Sequence, residues 1–412
     1  MTRRRVVVTG LGAVTALGLD APATFAGLLQ KRSGVGPITH FDAKDHATTF
    51  AAEVRGFDPA TVLEPHEARK LDPFALFAMA AAKEALADSG LDLAREDLAR
   101  IGCVIGVGIG GLTDLEAQHS TLLERGPRRV NPFFIPRIMM NAAAGQISIR
   151  FGLQGPNFAT ASACASSSHA VGLAAQAIRL GEADAMLAGG SEATITPLGV
   201  AGFNALKALS TRNDAPARAS RPFDRDRDGF VMGEGGGALV LEELERARAR
   251  GARIYAEVKG FAMTADAFHI TAPDPAGRSA ARAMRRALEH AGLQPEDVDY
   301  LCAHATSTPV GDVAEVRAIR QAFGGHAERL AISSPKSMVG HLLGAAGALS
   351  ALVAVKAIHE GVIPPTINLD RQDPECDLDF VPNVSRRVRV QAALANGFGF
   401  GGQNVVAAFT QA

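Results

Sequence analysis

Three residues carry groups able to make and break bonds, each just past an apolar run. They are Cys164 in "ACASSSHA", His304 in "CAHATSTPVGD" and His341 in "SSPKSMVGHLLGAAG". A thiol attacks a carbonyl carbon as its thiolate. A helix N-terminus offers free N–H groups and about half a positive charge, which favours that anion. Cys164 lies between a stretch predicted to be a short buried strand and a stretch predicted to be a helix. Its small neighbours Ala163, Ala165, Ser166 and Ser167 leave room for a substrate and let backbone N–H groups approach an oxyanion. The segment alone leaves two readings open, a nucleophile and a buried inert thiol. Cys103, Cys302 and Cys376 read as inert.

The two histidine junctions favour the nucleophile. Ligands of α/β sheets gather beyond the carboxyl ends of strands. Three such ends bearing Cys, His and His predict one shared pocket, with Thr306, Thr308 and Lys336 beside it. Seven of the remaining histidines (40, 46, 66, 119, 290, 326, 359) read as surface or structural, and no HExxH spacing among the eleven points to a metal.

These residues need a scaffold, and the hydrophobic pattern supplies one. "RRVVVTG", "RIGCVIGVG", "ADAMLAGG", "ALVLEEL", "IYAEVKGF", "DYLCAHAT", "AISSPK", "LDFVP" and "NVVAAFT" read as strands, several of them covered on both faces. Helical patterns such as 74–90 and 278–292 alternate with them and end near Gly. The class is α/β layering. "AAQAIRLG" at 174–181 and "AVKAIHEG" at 354–361 echo each other 180 residues apart, a faint sign of duplication. The division falls near 246–257, giving halves 1–252 and 253–412 that pack as one unit.

With 42 Lys and Arg against 43 Asp and Glu, nothing global points to nucleic acid or an anionic membrane. Four scattered cysteines argue against a disulfide framework or zinc site and for a reducing compartment. "MTRRRVVVTGLGAVTALG" imitates a secretory signal, but its apolar run is interrupted, so a strand-turn-helix start is expected. "LLGAAGALSALVAV" at 342–355 is shorter than the roughly 20 residues of a membrane span and reads as a core helix. The expectation is a soluble, cytoplasmic protein.

Three motifs imitate ligand sites. "TGLGAVTALG" has Thr15 where a dinucleotide fingerprint needs its third Gly. "GVGIGG" at 106–111 lacks the Lys of a phosphate loop and reads as a place where backbones approach closely. "DRDRDG" at 224–229 has Gly235 where a calcium loop needs Glu, and reads as a solvated turn held by Arg–Asp pairs.

Taken with "NPFFIP", "AGGSEATITPLGVAGF", "ALSTRND", "SRPFDRDRDGFVMGEGGG", "PPTINLD" and "NGFGFGGQN", the chain resembles the β-ketoacyl-acyl carrier protein synthases, closest to the elongating type II enzymes, over nearly its full length. The resemblance implies a thiolase-like fold, two similar halves in a five-layered αβαβα arrangement, and a homodimer. It implies a decarboxylating Claisen condensation. Cys164 matches the nucleophile that takes an acyl chain from acyl carrier protein. The N–H groups of Cys164 and Phe400 match the oxyanion hole. His304 and His341 match the imidazoles that assist decarboxylation of malonyl-carrier protein, and Lys336 an electrostatic support. Thr306 and Thr308 match hydroxyls for the phosphopantetheine arm. Phe400, flanked by Phe398, Gly399 and Gly401, matches a gate. Arg69, Lys70, Arg128, Arg129 and Lys207 match docking positions for the acidic carrier. No metal or bound cofactor is implied.

The chain departs from the family pattern at Ala305, Pro335, Gln403 and Ser350, the last replacing a frequent Glu near the lysine. A thiolase would need a second catalytic Cys, and initiating synthases use Asn in place of His341. A non-catalytic chain-length partner would lack Cys164. A ketosynthase of a specialised pathway, paired with such a partner, is the alternative function.

Overall fold

The computed structural model describes residues 4–412. Residues 1–3 of the basic lead lie outside them, and the apolar run that follows is a strand. Fourteen strands are described. The N-terminal half holds β1 (Val6–Val14), β2 (Gly36–Pro37), β3 (Phe50–Ala51), β4 (Ile101–Gly106), β5 (Asn157–Thr160), β6 (Ala185–Glu192) and β7 (Gly235–Glu243). The C-terminal half holds β8 (Ala256–Ala265), β9 (Tyr300–Cys302), β10 (Ala331–Ser333), β11 (Val362–Ile363), β12 (Arg386–Arg387), β13 (Ala392–Gly399) and β14 (Gln403–Thr410).

Ten of them form one sheet in the order β10-β9-β13-β14-β8-β1-β7-β6-β4-β5. The order is the same read outward from its middle. On one side β1, β7 and β6 run antiparallel, then β6, β4 and β5 parallel. On the other, β8, β14 and β13 run antiparallel, then β13, β9 and β10 parallel. Among the described residues, β1 and β8 join the two five-stranded halves through the pairs Val7↔Glu257 and Val8↔Ala256.

Helices Ser166–Leu180 and Ala346–Glu360 fill the space between the halves and pack on strands of both. They also touch each other: the Ala348 N–H donates to Ser167 Oγ at 2.9 Å. The "A..AI..G" echo lies on these two helices, which end at left-handed Gly181 and Gly361. Outside, helix Pro73–Ser89 covers β1, β6 and β7, and helix Arg278–Ala291 covers β8 and β14. The result is five layers, helix-sheet-helix-sheet-helix.

Small residues make this packing possible. A Cβ at Gly10 would lie 2.1 Å from the Ala85 carbonyl oxygen, and one at Gly12 2.0 Å from that of Ala81. The GxG of β1 is therefore a helix-packing device rather than a nucleotide loop. Segment 343–360 is apolar and long enough to span a membrane, but 83% of it is buried inside the protein. Two expectations need correction. "LDFVP" forms no strand, because Val381 sits at φ +47 and turns the chain. β5 is an edge strand, so Asn157 and Phe158 are exposed rather than buried.

Candidate active site

β5 ends at Thr160, and the chain turns sharply before helix Ser166–Leu180. Ala163 holds φ +49 in that turn, a conformation costing roughly 1–2 kcal/mol for an L-residue. Ser166 Oγ secures it, accepting the Ser162 N–H at 2.9 Å and donating to the Ala163 carbonyl at 2.7 Å. Cys164 is thereby presented at the helix start, with 8% of its surface exposed. Burial pushes its thiol up to about 12. The positive charge of Lys336 and the N–H groups of Phe400 and of Cys164 itself pull the other way, and Glu192 adds to the rise. Desolvation outweighs the helix end, so the thiolate expected at the helix start is not favoured in the free protein.

His304 follows β9, and His341 follows the short helix Lys336–Val339 after β10. Their ring centroids lie 5.4 Å apart, with planes at 86°. Burial holds both well below the ordinary histidine value, with the Lys336 charge adding to the effect, so both rings are neutral. Nδ1 of His304 and both ring nitrogens of His341 have no partner among the described residues. Buried orphan nitrogens facing a cavity are free to bond a substrate.

The end of β13 brings Phe398, Gly399 and Phe400 against Cys164. A Cβ at Gly399 would lie 2.5 Å from the Ser162 carbonyl oxygen and 3.4 Å from the Cys164 nitrogen. Only glycine permits this approach, which aims the Phe400 N–H at the sulfur. The next turn is tied to segment 266–274. Gly401 N–H donates to the Ile270 carbonyl at 2.6 Å, and Asp266 N–H to that of Gly402 at 2.8 Å.

Cys164, His304, Thr306, Thr308, His341, Phe398, Gly399, Phe400 and Lys207 line one cavity of about 560 Å³. Lys336 is buried behind this lining, and Gly401 is exposed just outside it. Burial lowers the Lys336 ammonium, while Cys302, Glu315 and Cys164 hold it up. Arg69, Lys70, Arg128 and Arg129 are exposed and form no part of the lining. Lys70 Nζ lies 5.9 Å from the Phe133 ring centre.

Residues 3–247 match the β-ketoacyl synthase N-terminal domain, and residues 255–370 match the β-ketoacyl synthase C-terminal domain. The chain belongs to the β-ketoacyl synthase family. It is 54% identical to 3-oxoacyl-[acyl-carrier-protein] synthase 2 of Synechocystis sp., over 99% of this chain and 98% of the relative. It is 51% identical to the protein of the same name from Coxiella burnetii, over 98% of each. Among solved structures, the ishigamide ketosynthase/chain length factor superposes with TM-score 0.94 at 36% identity, over 100% of both chains. A type II polyketide synthase acyl-carrier protein in complex with its ketosynthase bound to the hexaketide gives TM-score 0.91 at 32% identity, again over 100% of both.

This β-ketoacyl synthase also uses residues that sequence reading missed. Glu315, buried on helix Pro309–Phe323, accepts the N–H groups of His304 (2.9 Å) and Ala305 (2.6 Å) and the Asn396 amide (2.8 Å). It fixes the backbone that carries His304. Its only signal was an acidic residue amid apolar positions of a helix. "DRDRDG" is held by Arg–Asp pairs, among them Arg221–Asp224 and Arg227–Asp373, but only Arg225, Asp226 and Asp228 reach solvent. Asp224 is fully buried and accepts the N–H groups of Asp370 and Arg371, while Arg227 donates to the carbonyls of Thr308 (3.1 Å) and Pro309 (2.8 Å). The turn braces the Thr306–Thr308 loop, whose hydroxyls lie 3.1 Å apart. "GVGIGG" does allow close approach: a Cβ at Gly106 would fall 2.3 Å from the Ser167 nitrogen. Ser350, buried in the central helix, adds no carboxylate near Lys336; its side chain favours the ionised form of the Cys302 thiol.

Proposed function

We propose that the protein is a 3-oxoacyl-[acyl carrier protein] synthase that lengthens an acyl thioester by two carbons. One observation carries the reading: the Cys164 sulfur, faced by the N–H groups of Phe400 and Cys164, shares a cavity with two neutral, unpartnered imidazoles. Cys164 attacks the carrier-bound acyl carbon. The carbonyl oxygen gathers negative charge under those two N–H donors, each such donor being worth about 3 kcal/mol. The carrier thiol leaves with the proton that Cys164 loses. Malonyl-carrier protein then enters, with its arm along Thr306 and Thr308. Its C–C bond to the carboxylate breaks and carbon dioxide departs. The electron pair passes to the thioester oxygen, where N–H groups of His304 and His341 receive it. The enolate carbon attacks the acyl-Cys164 carbon and expels the thiolate, which takes one proton from water to restore the thiol. Neutral rings suit this role, since the step calls for preorganised donors rather than a strong base. Lys336 supports the site electrostatically, and the glycines around Phe400 let that side chain swing. The scheme draws on no bound cofactor or metal.

The same reading includes a cytoplasmic homodimer, with halves 1–252 and 253–412, that docks an acidic carrier protein through Arg69, Lys70, Arg128, Arg129 and Lys207. The exposure of Ile149 (77%), Leu123 (73%) and Ile135 (57%) and, separately, the open edge of β5 support a second copy. Intact-mass measurement with C2 to C16 acyl-carrier proteins tests the function. The wild type gains one acyl group, and Cys164→Ala gains none and makes no product. Residual condensation by Cys164→Ala refutes the assignment.

A further inference from the structure

Glu192 ends β6 fully buried and accepts four backbone N–H groups. One carboxylate oxygen takes those of Gly108 (2.9 Å) and Gly344 (3.0 Å), the other those of Ile109 (3.2 Å) and Gly110 (3.1 Å). The first segment follows β4 in the N-terminal half. The second follows His341 in the C-terminal half. A Cβ at Gly108 or Gly344 would sit 2.6 Å from the carboxylate, so only glycine lets these two segments approach it so closely. Gly108, Ile109 and Leu343 line the Cys164 cavity, and Leu343 is itself held at φ +46. Burial raises the Glu192 carboxyl to about 7, so its charge acts on the sulfur above that pH, where it opposes Lys336; His304 and His341, held neutral by burial, line the same cavity.

We infer that Glu192 is a positioning residue that staples segments 108–110 and 343–344 into the acyl-cavity wall, and so sets which acyl chains Cys164 accepts. This rests on the acylation of Cys164 proposed above. The mouth of the cavity must hold the incoming carrier arm, so a lengthening chain presses on the wall instead. Ile109, 39% exposed, hangs from one of the stapled N–H groups.

The test compares Glu192→Gln and Glu192→Asp with the wild type. The amide of Glu192→Gln turns N–H groups toward N–H groups and removes the charge, whereas Glu192→Asp keeps the charge on a shorter arm. Acylation rates with C6 and C16 acyl-carrier proteins, read by intact mass, should change in ratio at least tenfold in Glu192→Gln and less in Glu192→Asp. The pH profile of Cys164 alkylation by iodoacetamide should move to lower pH in Glu192→Gln alone. A merely structural role would slow both chain lengths equally and leave the alkylation profile in place. That result overturns the inference. Should Glu192→Gln fail to fold, an unchanged C6 to C16 ratio in Glu192→Asp overturns it as well. If wild-type Cys164 takes no acyl chain at all, the proposed function falls. The alkylation profile then decides for or against Glu192 separately.

Discussion

The rings of His304 and His341 meet edge to face at 5.4 Å, one carried by β9 and the other by the segment after β10. Both strands run parallel to β13, so their carboxyl ends deliver the two side chains to one place. Each ring serves the same oxygen in the proposed scheme, and neither replaces the other. His304→Ala and His341→Ala should each slow carbon dioxide release from malonyl-carrier protein by about 10²-fold or more, as loss of one oxyanion donor does. Acylation of Cys164 should persist. A variant with normal release removes that histidine from the scheme.

His341 is buried and kept neutral, so it also marks stability. Its folded value lies below the unfolded one, so the unfolded chain binds the extra proton. Stability from this group is present above the ordinary histidine value of about 6.5 and is lost as pH falls beneath it. The slope approaches about 1.4 kcal/mol per pH unit. Urea unfolding at pH 7.5, 6.5 and 5.5 should therefore show a steeper loss for the wild type than for His341→Gln. Equal slopes would mean that His341 is protonated in the fold.

His304 was legible in the sequence because it follows a fully buried apolar strand. Cys164 and His341 were legible by their place where a strand gives way to a helix, although the strand before Cys164 is an edge strand and a short helix precedes His341. The doubled strand order was not. Its trace is an eight-residue echo, since matching layers need only equal size and polarity at equivalent positions, and sequence drifts freely within those limits. Buried acids were equally hidden. Glu192, Asp224 and Glu315 resemble surface charges in one dimension, and only the N–H groups converging on them in three dimensions reveal their work. "LDFVP" misled for the converse reason. Phe380 and Val381 are core residues in a turn, and periodicity does not register a left-handed φ.

Docking makes a charge prediction. Arg128 and Arg129 end an exposed turn away from the cavity lining. Rim charges act chiefly on association and its salt dependence. Neutralising both should raise KM for carrier-bound substrate roughly tenfold at low salt, with kcat kept, and should flatten the salt dependence. An unchanged KM rules that patch out as a docking site.

Gly399→Ala isolates the oxyanion geometry. The new Cβ would enter the 2.5 Å gap to the Ser162 carbonyl, in a turn that Ser166 Oγ holds in place. The cheapest relief is to push segment 398–400 away from Cys164, which withdraws the Phe400 N–H from the sulfur. A displacement near 1 Å at a reacting centre costs about 10²-fold in rate. Acylation of Cys164 should fall by about that factor. The melting temperature should move little, because the cavity side of the segment has room to yield. Carbon dioxide release from malonyl-carrier protein, which depends on the histidines, should fall far less. Equal losses in the two half-reactions would show that Gly399 serves the whole site rather than the Cys164 oxyanion.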